Sequence, residues 1–360
     1  NVPIYDELLK TRYVKDKVCV ICEKSGMDLD KYDHHVSMYH GIMFTDPVQA
    51  WITATEEWDG YGMTYSDSEV EKNEVTNESP LSEMQGFWNR IGTIQLVNGV
   101  PVDTLLVKDS ENTDYRQVKV YKDGNMIWLD NVKSDTPWKG GGGGYGKFTV
   151  NSEKSITEHM SAGTGMMANW VGNYKDSLNV PAMDVTLTLD YKDDRYTQRN
   201  GPNTEFMEYW ERMPISSSKA SKIEGAWKRV YEIAYINDVA VDTLAVPSDV
   251  ILDVKIMADG RFAYQVDQTG NSEVDTQEYG GYGGYGDYEY NEEDNTLKEY
   301  TVFGSGNNVT NNEVGQRENF QTHEIKFYND DLFIQIDKNN RGMVRVDGAT
   351  GRGVVYRRIK

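Results

Sequence analysis

Two cysteines and two histidines near the start of the chain carry the spacing of a metal site. Cys19 and Cys22 are separated by two residues, and His35 and His40 follow at a distance that suits a tetrahedral two-Cys, two-His zinc centre. Zinc is the one cofactor this spacing offers. The two thiols could equally close a tight structural or redox-active bridge, or lie buried as small apolar groups in the strand-like run Val18–Cys22. Gly26 stands where the core of a zinc finger wants an aromatic residue.

A glycine run is the next candidate. Gly141, Gly146 and Lys147 imitate a phosphate-binding loop, but Phe148 takes the place of the Ser or Thr that would meet magnesium, and the residues that follow read as a strand rather than a helix. The related run from Gly280 keeps the glycines and lacks the Lys, so a shared structural cause is the better reading: glycine-rich loops entering a strand, where a bulge or a close backbone approach excludes side chains. No Gly-x-Ser-x-Gly is present, and His159 and His323 are the only histidines beyond the N-terminal segment, so no nucleophile with its base can be assembled. Asp337, Asn339 and Gly342 fail the calcium-loop pattern because Arg341 and Gly348 occupy ligand positions. We expect no catalytic residues and no enzyme.

The elements that hold these residues follow from composition and repetition. The chain has 360 residues, 37 Lys and Arg against 58 Asp and Glu, and a formal net charge of -21. Such a surface repels nucleic acid and anionic lipid. Apolar residues make up 38%, with 24 Tyr, 8 Trp and 9 Phe to supply bulky core area. The longest apolar run, Val18–Cys22, is far too short to span a membrane. The chain opens at Asn1 without an initiator Met, which fits a removed signal peptide or a trimmed chain.

The stretch from Met84 (MQGFWNRIGTIQLVNGVPVDTLLV) recurs from Ile223 (IEGAWKRVYEIAYINDVAVDTLAV). Gly86 and Gly225, Trp88 and Trp227, Asn98 and Asn237, Asp103 and Asp242 keep one register, and Gly124 answers Gly260 with a small slip that belongs in a loop. Within each copy the apolar period is two, as in Met183, Val185, Leu187 and Leu189 or Val250, Leu252, Val254 and Ile256. Turn residues such as Asp123-Gly124, Asp259-Gly260 and Asp193-Asp194 separate the runs. About eight short strands per copy fit an antiparallel up-and-down barrel, with a β-sandwich as the alternative. Asp103 and Asp242 suit local hydrogen bonds to backbone amides, and Tyr145 and Tyr285 suit packing or a barrel mouth.

Gly-x-Trp at the head of the first strand and Arg in the last strand resemble the signature of lipocalins and related calycin barrels. Here these are Gly86, Trp88 and Arg212, then Gly225, Trp227 and Arg358, with Arg357 as the other candidate. The resemblance implies that the Trp closes one barrel end and the Arg packs over it. The layout also resembles lipocalin-like domains of unknown function in secreted bacterial proteins.

The expected fold is mainly β: an N-terminal extension over residues 1–80, a lipocalin-like barrel over 84–213, a linker at 214–222 and a second barrel over 223–360. The extension is expected to carry a helix opened by Asp46-Pro47 and running to Trp58, a second near Leu29 to Tyr39, and an acidic linker through Glu69, Glu71 and Glu74. The expected function is that of a secreted, periplasmic or cell-surface bacterial binding protein, holding a small apolar or aromatic-stacking ligand that enters opposite Trp88 or Trp227. The alternative is a non-catalytic structural or accessory subunit of an envelope complex.

Overall fold

The structure, a computed structural model, describes residues 83–107, 116–131, 142–164, 183–201, 203–216, 221–246, 252–267, 281–306, 320–338 and 346–360. The expected N-terminal helices, the acidic linker and the Cys19, Cys22, His35 and His40 site lie outside these residues.

Two copies of one strand order account for nearly all of the described chain. The first copy runs β1 (Gly86–Val97), β2 (Val100–Leu106), β3 (Arg116–Lys122), β4 (Asn125–Asn131), β5 (Gly142–Ser152), β6 (Ser155–Thr164), β7 (Met183–Lys192), β8 (Arg195–Asn200) and β9 (Phe206–Arg212). The second runs β10 (Gly225–Ile236), β11 (Val239–Ala245), β12 (Leu252–Ala258), β13 (Arg261–Asp267), β14 (Gly281–Asn291), β15 (Thr296–Gly306), β16 (Gln321–Asn329), β17 (Leu332–Asp337) and β18 (Gly351–Arg358).

Each copy closes on itself. β1 pairs β3 through Gly86 to Asn89 and returns to β9 through pairs from Trp88↔Arg212 to Gln95↔Phe206; the second copy closes through β10 and β18. Eight strands make each barrel, and closure removes the free edges of an open sheet. A ninth strand per copy was not foreseen from the sequence. β2 and β11 pair the far half of β1 and β10 beyond the point of closure. The tight turns form where expected, with Asp123-Gly124 at φ 50° and 75°, Asp259-Gly260 at 56° and 74°, and Asn98-Gly99 at 52° and 79°. These positive φ values explain why Asn, Asp and Gly occupy the turns.

Alternation assigns the two faces of the sheet. In the first barrel Trp88, Tyr121, Met126, Phe148, Ile156, Leu187, Leu189, Tyr196 and Trp210 fill the interior, and Trp88 and Trp210 are fully buried. The opposite face of β3, β4 and β5 is also apolar. Val118, Val120, Ile127, Leu129 and Tyr145 pack in one cluster with Leu252, Val254, Ile256, Ala263 and Tyr285 of the second copy. The outer walls of the barrels therefore share an apolar interface, and Thr76–Tyr231, Ala245–Ile336 and Val354–Lys360 form one compact unit. Glu232–Leu244 and Asp337–Gly353 belong to another.

The interface corrects the reading of the glycine runs. From Gly142 and Gly281 onward they are strands. A Cβ on Gly143 would strike Gln265 Oε1, and one on Gly283 would lie 2.6 Å from Leu129 Cδ2, so glycine lets the two walls approach. Gly146 and Gly286 follow β-bulges at Tyr145 and Tyr285, where a Cβ would strike the carbonyl oxygens of His159 and Tyr300. Tyr145 and Tyr285 pack in the interface instead of lining a mouth.

Candidate functional site: the mouth of the first barrel

The end entered by β1 is sealed by a cation–π lid. Arg212 Cζ stands 4.3 Å from the Trp88 ring, and Arg358 Cζ 4.0 Å from that of Trp227. Trp88 Nε1 donates to Met84 O at 3.0 Å and Trp227 Nε1 to Ile223 O at 2.8 Å. Each guanidinium also caps carbonyls ahead of its first strand: Arg212 donates to Gln85 O and Glu83 O, and Arg358 to Glu224 O at 2.7 Å and Lys222 O at 3.1 Å. Gly86 and Gly225, at φ 112° and 136°, bring the chain into this corner. Arg358, not Arg357, is the second copy's lid.

Above the lid, each barrel holds a buried cluster that the sequence did not foretell. Lys119 Nζ donates to Glu158 Oε1 at 2.6 Å and to Gln198 Oε1 at 3.1 Å, over the Trp210 ring. In the second copy Lys255 Nζ donates to Glu299 Oε1 at 2.7 Å and Gln335 Oε1 at 3.0 Å, over Tyr356. Burial alone would push the Glu299 carboxyl up, but the charges of Lys255 and His323 hold it down at about 2. His323 is buried with its Nε2 3.5 Å from Glu299 Oε2, whereas His159 lies on the outer surface, 2.8 Å from Asp184. These clusters fill the middle of the barrels with buried ion pairs, Lys119 with Glu158 and Lys255 with Glu299.

The copies differ at the other end. A bulge after Arg90 of β1 sets Thr93, Gln95 and Val97 on the inward face, in register with Leu105 and Val100 of β2 and with Phe206 of β9. Val97 (56% exposed), Val100 (61%), Leu105 (52%) and Phe206 (44%) thus present apolar side chains to solvent around the mouth of the first barrel. Isolated exposed apolar residues are ordinary; four on one rim form an apolar patch.

Beneath this rim lies a polar floor. Arg90 Nη1 donates to Gln117 Oε1 at 2.7 Å and stands 3.4 Å from Glu208 Oε1, and its Nη2 donates to Thr93 Oγ1 at 2.8 Å. Glu208 Oε2 accepts from Trp210 Nε1 at 3.1 Å and from the Gln198 amide. Asp130, paired with Gln117 across β3 and β4, is 2% exposed, and its Oδ1 has no hydrogen-bond partner. Burial, with a smaller push from Glu208, raises its carboxyl to about 7 against the opposing Arg90 charge and the Gln117 hydrogen bond. A buried carboxylate oxygen left without a donor is the kind of exception that calls for a functional cause.

The second copy keeps a cation at the Arg90 position, Arg229, which donates to Asp253 Oδ2 at 3.3 Å, and Glu232 is buried as well, but it lacks both carboxyls of this floor. By strand register Val266 replaces Asp130, Val354 replaces Glu208 and Ala234 replaces Gln95, and all three are buried. Ala234 packs with Ala349, Val346, Val241 and Leu244. At the two carboxyl positions the first copy carries Asp130 and Glu208, and the second carries the buried Val266 and Val354.

A separate cavity of about 360 Å³ opens at the sealed end of the first barrel, lined by residues including Met84, Val150, Ile156 and Tyr191. Its charged lining, Glu83, Glu153, Lys154 and Asp190, is solvent-exposed, with Glu153 and Lys154 on a hairpin turn, so no buried charged group lines it. Among the described residues no group of three or more His, Cys, Asp or Glu is placed to hold a metal, and no helix is long and apolar enough to cross a membrane.

No protein-family profile matches the chain, and no curated protein matches it. Solved structures similar to it include a lipocalin-like protein from Bacteroides uniformis, at 10% identity and a TM-score of 0.23, covering 36% of this chain and 99% of that one. They also include the uncharacterized protein YLR301w from Saccharomyces cerevisiae, at 11% identity and a TM-score of 0.36, covering 77% of this chain and 98% of that one. The strand order itself makes the described residues a tandem pair of closed, eight-stranded antiparallel barrels.

Proposed function

We propose that this protein is a non-catalytic binding protein whose first barrel takes one small ligand at its mouth, while its second barrel serves as a packed support. The observation that carries the reading is the divergence of the duplicates at the two carboxyl positions: an exposed apolar rim above the unpartnered Asp130 oxygen in one, and buried Val266 and Val354 in the other. The ion pairs and aromatic rings below the floor leave the ligand only the upper part of the barrel, so it must be small and shallow-seated.

The test uses the indole signals as reporters. Trp128 and Trp210 face the interior of the first barrel, and Trp227 sits at the sealed end of the second. In proton–nitrogen spectra of the full chain, addition of small amphiphiles from a mixed panel is expected to move the Trp128 and Trp210 indole peaks and leave that of Trp227 in place. Binding that moves Trp227 first, or that is indifferent to Phe206→Glu and Val97→Glu, would overturn the assignment. If no panel member moves any indole peak, an accessory subunit that acts by docking a protein partner on its acidic surface becomes the better account.

A further inference from the structure

We infer that the ligand carries a cationic hydrogen-bond donor, an ammonium or guanidinium group, on a compact apolar body. This rests on the reading of the mouth as a binding site and adds the chemistry that the floor would recognise. Each floor group has a definite state. The Arg90 guanidinium is committed to Gln117, Thr93 and Glu208, so an anionic ligand meets a cation whose donors are already in use. Glu208 accepts from Trp210 and Gln198 and faces Arg90. The unmet capacity of the floor is an acceptor, Asp130 Oδ1.

Charge points the same way. Arg90 offsets only one of the two carboxyls, Glu208 and Asp130, and the deeper Lys119–Glu158 pair is neutral as a unit. An ionised floor therefore carries one surplus negative charge, inside a chain whose net charge of -21 concentrates cations around it. A ligand ammonium would pair that charge and satisfy the orphan oxygen together, a charge-assisted bond in a water-poor setting. The rim sets the rest of the molecule. Val97, Val100, Leu105 and Phe206 offer aliphatic and aromatic contact, so the donor must sit at one end of an apolar body. The second copy carries Val266 and Val354 at these two carboxyl positions.

Three probes share one body and differ in charge: 2-phenylethylammonium, 2-phenylethanol and 3-phenylpropionate. Titrated into the full chain at pH 8 and low salt, the ammonium is expected to bind about tenfold or more tighter than the propionate. Asp130→Asn is expected to weaken the ammonium about tenfold and leave the alcohol nearly unchanged, and Asp130→Val, which brings in the side chain of the second copy, to do the same. Phe206→Ala should weaken all three alike. Propionate binding as well as the ammonium, or ammonium binding that survives both Asp130 variants, overturns the charge assignment while binding sensitive to Phe206→Ala still upholds the mouth. Three probes that leave the Trp128 and Trp210 indole peaks unmoved overturn the cationic ligand and the mouth together. The indole spectrum of each variant without ligand confirms that it is folded.

Discussion

Asp130→Asn should change how stability depends on pH, because keeping this carboxyl buried costs the fold free energy once the proton is gone. In the folded chain its proton is held until about 7, against 3.8 for an ordinary aspartate. Below pH 4 the carboxyl is protonated in both states and contributes no difference. As pH rises from about 4 to 7 the unfolded chain releases this proton while the folded chain keeps it, so the wild type loses stability, at up to ~1.4 kcal/mol per pH unit. The gap of roughly 3 units corresponds to about 4 kcal/mol in full above pH 7. The asparagine side chain keeps an acceptor toward Gln117, and its unpaired amide adds a penalty that does not vary with pH. Urea unfolding of the two chains across pH 4.5 to 8 is the assay, and the difference curve is the observable. It should rise in favour of the Asp130→Asn variant until about pH 7 and then level. A difference that stays constant across this range would show that the carboxyl is not held protonated, and the reasoning from its burial would fail.

Four further outcomes follow from the packing. Lys119→Met leaves Glu158 buried with only the Tyr121 hydroxyl as donor, so a loss of about 3–5 kcal/mol is expected in chemical unfolding, and adding Glu158→Leu should recover much of it. Arg358→Ala removes the lid over Trp227 and its bonds to Glu224 O and Lys222 O, an expected loss of about 2–4 kcal/mol with a change in the near-ultraviolet signal of that indole. Leu129→Ala opens a void in the wall shared by the barrels and should cost about 2–5 kcal/mol and expose the interface to limited proteolysis. Glu299, held at about 2, adds stability that is complete above its ordinary 4.5 and lost as pH falls toward 2; Glu299→Gln should flatten the acid limb of the unfolding profile.

The barrel architecture is legible because it rests on local rules that repeat. Period-two alternation, Asn and Asp-Gly turns, and the Gly-x-Trp and Arg pairs at matching register each name an element directly. β2 escaped because Val100–Leu106 carries Pro101 and Asp103 and is exposed on both faces, so no alternation marks it. The glycine runs looked like loops because glycine usually punctuates; only the second wall, with Leu129 and Gln265 crossing it, shows why strands there cannot bear side chains. The buried clusters were hidden for a different reason. Lys119 and Lys255 recur in the sequence, but a lysine on a strand reads as solvated, and Glu158 and Gln198 come to it from strands far along the chain. The mouth had a signal that went unused: it lies where the copies differ, at Asp130 against Val266 and Glu208 against Val354, rather than where they agree.

The most direct measurement is a crystal structure of the chain grown with 2-phenylethylammonium. One bound molecule is expected, its ammonium within hydrogen-bond distance of Asp130 Oδ1 and its ring against Phe206 and Val97, with the second barrel empty. A molecule seated in the second barrel, or in the cavity at the sealed end beside Tyr191, would contradict the assignment of the mouth.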